Sequence, residues 1–196
     1  MLINSLLIVG AYLLGSISGA IVVTKLMNLT DPRTQGSGNP GATNVLRHSG
    51  KTAALLTLLI DINKAVVAVW IAILFTDNVN ILAAVGLAAF LGHVYPIFFN
   101  FKGGKGVATA LGILLILTWQ VGVAALVTWL MVALVLRYSS LAAISAAIFS
   151  PVYMYLFTDQ LAYVVMSCII TALLLWRHRS NIDKLLNGKE DKIGKK

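Results

Sequence analysis

The chain has 196 residues, 59% of them hydrophobic and only 11% charged, with a formal net charge of +8. Soluble domains carry about 25% charged residues, so this composition excludes an ordinary water-soluble globule and makes the bilayer the solvent of the fold. The basic excess is not the footprint of a nucleic-acid binder, because its placement follows a membrane pattern instead.

Residues 4–24 form the first apolar run, long enough to cross a bilayer as a helix. Ser18-Gly19-Ala20 imitates a cleavage site, but no basic residue precedes the run and Lys25 follows it, which predicts an uncleaved span with its N-terminus outside. Runs at 53–75 and 81–100 read as the next two spans. The stretch 107–136 is too long for one upright span and is interrupted at Trp119-Gln120 and Gly122; runs at 139–157 and 160–176 complete the set. Of the fifteen Lys and Arg, Lys25, Arg33, Arg47 and Lys51 lie in the first polar segment, Lys102 and Lys105 in the second, and seven more from Arg177 onward. The breaks at Thr76–Asn80, Trp119–Gly122 and Thr158–Gln160 contain neither Lys nor Arg. This bias puts the basic segments in the cytoplasm. An even number of crossings must then separate Lys105 from the basic tail. The expectation is an all-α polytopic helix bundle, a single domain over 1–196, with about seven transmembrane helices, N-terminus outside and C-terminus in the cytoplasm. A five-crossing version, with 107–136 as a re-entrant pair or tilted hairpin, keeps the same parity.

Three polar segments carry candidate chemistry. Thr34–Lys51, TQGSGNPGATNVLRHSGK, is longer than a mere connector and mixes glycines, hydroxyls and asparagines with Arg47. Its backbone amides can cradle an anion, although glycine and asparagine also make ordinary turns. Phe101–Thr109, FKGGKGVAT, sets Gly103, Gly104 and Gly106 around Lys105 directly before a helix, whose N-terminal amides add to the lysine charge. The spacing is not that of a nucleotide-binding Walker loop, and a flexible turn with a cytoplasmic lysine is the plain alternative. Arg177–Glu190, RHRSNIDKLLNGKE, joins His178, Asn181 and Glu190 to basic groups that could equally anchor on anionic headgroups. All three lie on one face, and that convergence favours a phosphate site.

Within the spans, Asp61 and Lys64 share a helical face and can neutralise each other, either as a functional pair or as a tie between helices. His93 reads as a structural histidine, with no obvious proton-accepting partner nearby in sequence. Ser139 and Ser140 either line the same cytoplasmic-side cavity or cap the next helix. Cys168 is alone, so no intrachain disulfide forms. No group of residues has metal-ligand spacing.

At these residues the chain resembles the bacterial acylphosphate-dependent glycerol-3-phosphate acyltransferases, the small integral membrane enzymes called PlsY. The resemblance covers nearly the whole chain and rests on Ser37-Gly38-Asn39-Pro40-Gly41-Ala42-Thr43-Asn44 with Arg47, on Gly103-Gly104-Lys105-Gly106, and on His178-x-x-Asn181-Ile182 leading to Gly188-x-Glu190. It departs from the family at Lys184, where arginine is usual, and at Ala65, where glycine is usual. The resemblance implies an enzyme of the bacterial inner membrane, active site facing the cytoplasm, that moves a fatty acyl group from acyl phosphate to the 1-hydroxyl of glycerol 3-phosphate. Lysophosphatidic acid and phosphate are the products, in the first step of phospholipid synthesis. Membrane lipids are its surroundings; no cofactor, metal or nucleic acid is expected, and a monomer is the simplest state. The catalytic set it implies is Ser37, Arg47, Lys105, His178 and Asn181. Phosphate and substrate contacts fall to Gly38, Asn39, Gly41, Thr43, Asn44, Gly103, Gly104, Gly106, Thr109 and Ser140, with Asp61, Lys64 and Glu190 in support.

Ser37 and Arg47 are expected to orient a substrate phosphate, Lys105 to neutralise charge, and Asn181 with His178 to hold the glycerol backbone. Acyl phosphate is already activated, so direct attack by the glycerol hydroxyl, with a phosphate oxygen taking the proton, is the expected chemistry. Two competing readings stand beside it. His178 and Asp183 match the His-x-x-x-x-Asp pattern of a different acyltransferase superfamily, and a basic mouth also suits a small transporter or flippase of phosphorylated or lipid anions.

Overall fold

The computed structural model describes residues 1–194 and is all-helical there. Ten α-helices follow in order: α1 (Leu2–Gly15), α2 (Gly19–Leu26), α3 (Ala42–Ser49), α4 (Lys51–Ile73), α5 (Val79–Val94), α6 (Val107–Leu117), α7 (Trp119–Leu136), α8 (Ser139–Phe157), α9 (Leu161–Arg177) and α10 (Arg179–Leu186). Short 3₁₀ turns sit at Pro32–Thr34 and Ile97–Phe99. By length and composition α4, α7 and α8 can each cross a membrane alone, as can α5 taken on through the turn to Phe99. Two further candidates are bent pairs, α1 with α2 at 47° and α9 with α10 at 60°. The long run 107–136 does divide, at Thr118, into α6 and α7. The first run, by contrast, is not one straight helix: it breaks at Ser16–Ser18.

Helix α5 is central, packed against α1, α4, α6 and α9, while α7 and α8 pair on the flank. Lipid tails are as apolar as leucine, so helices here gain by close backbone approach. Ala11 and Gly15 of α1 face Ala88 and Gly92 of α5, small residues four apart on each helix, and all four are buried. A Cβ on Gly92 would fall 2.2 Å from the Tyr12 carbonyl oxygen, and one on Gly15 would fall 2.2 Å from that of Ala89. Tyr12 Oη then donates to the Tyr95 carbonyl at 2.8 Å, fixing α1 to the loop after α5.

Backbone groups freed by irregularities are repaired from neighbouring helices, as a spanning segment requires. Pro151 inside α8 cannot donate to Ala147, four residues earlier; Thr171 Oγ1 of α9 supplies the missing bond at 2.8 Å. The break between α1 and α2 is repaired more elaborately. Lys64 Nζ, with three protons to give, donates to the Ile17 carbonyl at 2.6 Å, to His93 Nδ1 at 2.9 Å and to Asp61 Oδ1 at 3.0 Å. Asp61 Oδ1 also accepts the Gly19 amide at 3.1 Å, at the positive end of α2. Lys64 thus occupies His93 Nδ1, which leaves the ring neutral with its proton on Nε2. His93 therefore has charged partners that sequence proximity concealed: Asp61 and Lys64 reach it from another helix.

The α1–α5 contact yields a paired prediction. Gly92→Ala should lose on the order of 1–3 kcal/mol of stability through overpacking, seen as a lower midpoint of thermal unfolding in detergent. Gly10→Ala, where an added Cβ meets nothing within 4 Å, should leave the midpoint unchanged.

Candidate active site

The polar segments converge at the end of the bundle where α5 and α9 finish and α6 and α8 begin. Lys105 Nζ donates to Asn181 Oδ1, Asn181 Nδ2 donates to Glu190 Oε1 at 2.8 Å, and Ser140 Oγ donates to the same oxygen at 2.6 Å. This row of bonds joins the loop before α6, α10, the C-terminal tail and the start of α8. Beside it, Thr43 Oγ1 and Ser139 Oγ lie 3.2 Å apart, bringing α3 to α8. Arg47 pairs with Asp191 Oδ2 at 3.4 Å, and its guanidinium also reaches the Asp191 carbonyl. The tail is held further by Arg137, whose Nη2 donates to the Ile193 carbonyl at 3.0 Å, while the Ile193 amide donates to the Arg137 carbonyl at 2.6 Å. Ser139 and Ser140 face this cluster, and neither caps α8.

The loop before α3 is built on Asn44. Its buried side chain donates to the Pro32 and Gln35 carbonyls at 2.8 and 3.1 Å and accepts the Ser37 amide at 3.3 Å. With its amide group spent on the loop, Asn44 shapes the cradle and has no donor left for a ligand. Gly36 adopts φ +54°, and a Cβ there would sit 2.3 Å from His48 Nε2, so this turn requires glycine. Ser37, Gly38 and Thr43 are exposed at the mouth, with Asn39 and Gly41 partly so. Ser37 Oγ accepts the Asn39 amide at 3.4 Å, and its own proton has no acceptor among the described residues. No bond links Ser37 directly to Lys105; the two sites are joined through α3, α8 and the tail.

In the second loop the three glycines serve packing. A Cβ on Gly103 would meet the His93 carbonyl at 2.1 Å, one on Gly104 the His93 ring at 2.2 Å, and one on Gly106 the Phe90 ring at 2.2 Å. Gly106 also has φ +89°. The loop is thereby pressed onto the end of α5. Thr109 lies deeper still: it is fully buried, with Oγ1 donating to the Asp61 carbonyl at 3.2 Å, so it ties α6 to α4. Asp61 and Lys64 likewise turn inward, and they support the site from beneath through His93.

Cations outnumber carboxylates around Lys105, with Arg177, Lys184 and Arg47 on one side of the balance and Glu190 on the other. Burial, partly offset by Glu190 and reinforced by Arg177, Lys184 and Arg47, pushes the Lys105 ammonium down to about 8. His178 is 3% exposed and pushed down to about 4, chiefly by burial, so it is neutral near pH 7. Its Nδ1 lies 2.9 Å from the Leu174 carbonyl, which can only accept; the proton is therefore on Nδ1 and Nε2 is a bare acceptor. Nε2 has no hydrogen-bond partner among the described residues. Asp183 is exposed on α10 and accepts from Asn187 Nδ2 at 3.2 Å, so the His178–Asp183 dyad is not formed.

Two participants were not legible in sequence. Arg177, for which headgroup anchoring and a part in the site stood as equal readings, turns inward and donates to the Gly103 and Gly104 carbonyls at 2.9 and 3.3 Å. Asp191 lies just past the last recognisable motif. An open apolar groove, lined by Asn80, Ala83, Leu87, Ala162, Val165 and Met166, belongs to the opposite ends of α5 and α9 and is not part of this cluster.

The family described as Glycerol-3-phosphate acyltransferase matches residues 5–188. The glycerol-3-phosphate acyltransferase of Thioalkalivibrio sulfidiphilus (strain HL-EbGR7) is 56% identical over 196 residues, covering 100% of this chain and 97% of the relative. That of Methylococcus capsulatus (strain ATCC 33009 / NCIMB 11132 / Bath) is 52% identical over 191 residues, covering 97% and 96%. The crystal structure of PlsY, an integral membrane glycerol 3-phosphate acyltransferase, in its glycerol 3-phosphate form, is similar with a TM-score of 0.93 and 42% identity, covering 97% of this chain and 96% of that one. Its lysophosphatidic acid form aligns with a TM-score of 0.90 at 41% identity, covering 97% and 95%. With a match along nearly its whole length and more than half its residues shared with these relatives, the chain belongs to the glycerol-3-phosphate acyltransferase family.

Proposed function

We propose that this protein transfers a fatty acyl group from acyl phosphate to the 1-hydroxyl of sn-glycerol 3-phosphate, giving lysophosphatidic acid and inorganic phosphate, the first step of phospholipid synthesis. The single observation that carries this reading is the Lys105–Asn181–Glu190–Ser140 row with Arg47 beside it, a cationic mouth flanked by two glycine loops in a membrane bundle. Two phosphate-bearing substrates need such a mouth, and an acyl tail needs the surrounding lipid.

The side chains divide the work. Arg47 and Ser37 orient a phosphate, Gly38, Asn39, Gly41 and Thr43 line its approach, and Lys105 neutralises the charge that gathers on the leaving phosphate. Asn181 and the bare Nε2 of His178 accept from and steer the glycerol hydroxyls, with Glu190 and Ser140 holding Asn181. The attacking hydroxyl oxygen forms the new ester bond as the anhydride C–O bond to phosphate breaks; the phosphate leaves with the bonding pair, and a phosphate oxygen takes the hydroxyl proton. His178, held down to about 4, is too weak a base to be needed for that transfer.

The topology that suits this chemistry has seven crossings: α1–α2 as one bent span, then α4 to α9 singly, N-terminus outside and the mouth in the cytoplasm. Helix α6 has only 11 residues, about 16 Å at 1.5 Å per residue. It begins beside Gly104, which is bonded to His93 at the level of Asp61, ten residues into α4 and about 15 Å from its start. A helix starting that deep needs to traverse only the remaining half of a ~30 Å core. One catalytic unit over 1–196, in the bacterial inner membrane, completes the reading.

Three outcomes are expected. Purified protein given glycerol 3-phosphate should form lysophosphatidic acid and release phosphate with palmitoyl phosphate but not with palmitoyl-CoA; turnover with CoA alone would sink the donor assignment, and counterflow of glycerol 3-phosphate without product would point to a carrier. Asp183→Asn should leave the rate near wild type, and His178→Gln should weaken glycerol 3-phosphate binding and lower the rate without abolishing the chemical step measured at saturation. Finally, Lys105 must be charged to work and its folded value is depressed, so kcat/KM should fall as pH rises through about 8. Lys105→Arg, whose guanidinium stays protonated, should lose that alkaline limb; an unchanged limb would assign the titration elsewhere.

A further inference from the structure

Arg177 closes α9, and its guanidinium has no carboxylate partner within salt-bridge distance among the described residues. Instead its Nη2 and Nε fork onto two successive carbonyls, those of Gly103 and Gly104, at 2.9 and 3.3 Å. A trans peptide sets its C=O and N–H on opposite sides. The first of these peptides obeys that geometry visibly: with the Gly103 carbonyl on Arg177, the Gly104 amide points the other way, to the His93 carbonyl at 3.2 Å. The second peptide is oriented by the same fork. With the Gly104 carbonyl on Arg177, the Lys105 amide faces away from the guanidinium, and it has no acceptor among the described residues.

We infer that Arg177 is a positioning residue: by holding the Gly103 and Gly104 carbonyls it fixes the Gly104–Lys105 peptide so that the amide and ammonium of Lys105 are presented together to a substrate phosphate. A planar fork suits this task as a point charge does not, because two carbonyls of one loop must be held at once. Without it, two carbonyl oxygens next to Lys105 would be free to turn toward the incoming phosphate and repel it. The guanidinium adds a second cation behind Lys105, so the mouth keeps a positive field even where Glu190 neutralises part of it.

This inference rests on the acyl-transfer reading for its consequence, and the test separates the two. Full-length protein in nanodiscs, as wild type, Arg177→Gln and Arg177→Lys, would be assayed for lysophosphatidic acid formation across pH. In parallel, the pH dependence of Lys105 modification by an amine-reactive reagent would be read by mass spectrometry, a measurement that needs no turnover. The groups facing Lys105 are Glu190, Arg177, Lys184, Arg47 and His178, and only one of these charges is altered. Arg177→Gln should lower kcat/KM about tenfold or more, with KM raised for at least one phosphate-bearing substrate, and should move the Lys105 midpoint to higher pH. Arg177→Lys keeps the charge and loses the fork; its midpoint should stay near wild type while its rate lies between the other two. Mere loss of folded protein would lower kcat at constant KM in both variants, which overturns the inference, as does an unmoved midpoint in Arg177→Gln. Failure of the wild type to make lysophosphatidic acid would fall on the proposed function and be seen apart from the labelling.

Discussion

A buried lysine with all three of its protons committed governs the interior of this bundle. Ion pairs inside a bilayer are costly to desolvate, and replacing one by apolar residues is often neutral or stabilising. Asp61 and Lys64 are retained in a different role: they take up the carbonyl of Ile17 and the amide of Gly19, backbone groups that the break between α1 and α2 sets free. The pair therefore makes the bend possible, and it also reaches His93 in the last turn of α5, which stops just before Tyr95-Pro96. The second glycine loop then docks on that stop. Fold and site are coupled at this point, since the floor of the mouth is the roof of the ion cluster.

The recession of the loop shapes the chemistry as much as the charges do. A mouth floored well below the start of α4 removes Lys105 and His178 from bulk water, which is why burial is the first cause of both perturbed values. In that setting each hydrogen bond to a developing phosphate charge counts for more than it would at an exposed surface.

Periodicity and charge bias were enough to read the helical class, the division of 107–136 and the gathering of the basic segments at one end, because each follows from hydropathy over many residues. The breaks were harder. Ser16–Ser18 looks like ordinary span in composition, and its bend depends on partners that α4 contributes from over forty residues away. The packing of the glycines of 103–106 against the His93 and Phe90 rings was hidden too, since sequence does not show which side chains a loop is pressed onto. Arg177 stayed open between two readings for a related reason: an arginine at the end of a span is normally a headgroup anchor, and only the fold brings two carbonyls to it. Asn44 lay inside a recognisable motif, yet its spent amide could be learned only from the loop it holds.

The tail beyond α10 is folded back over the mouth, with Asp191 on Arg47, Glu190 in the central row and Ile193 bonded to Arg137 at both its amide and its carbonyl. Anything joined after residue 196 is thus tethered a few residues from Glu190, Asp191 and the side chains they hold. Met1, by contrast, lies at the other end of α1, about 20 Å from where Ser16 meets the loop after α5. For expression, immobilisation or imaging, the affinity handle or fluorescent fusion belongs on the N-terminus of this protein.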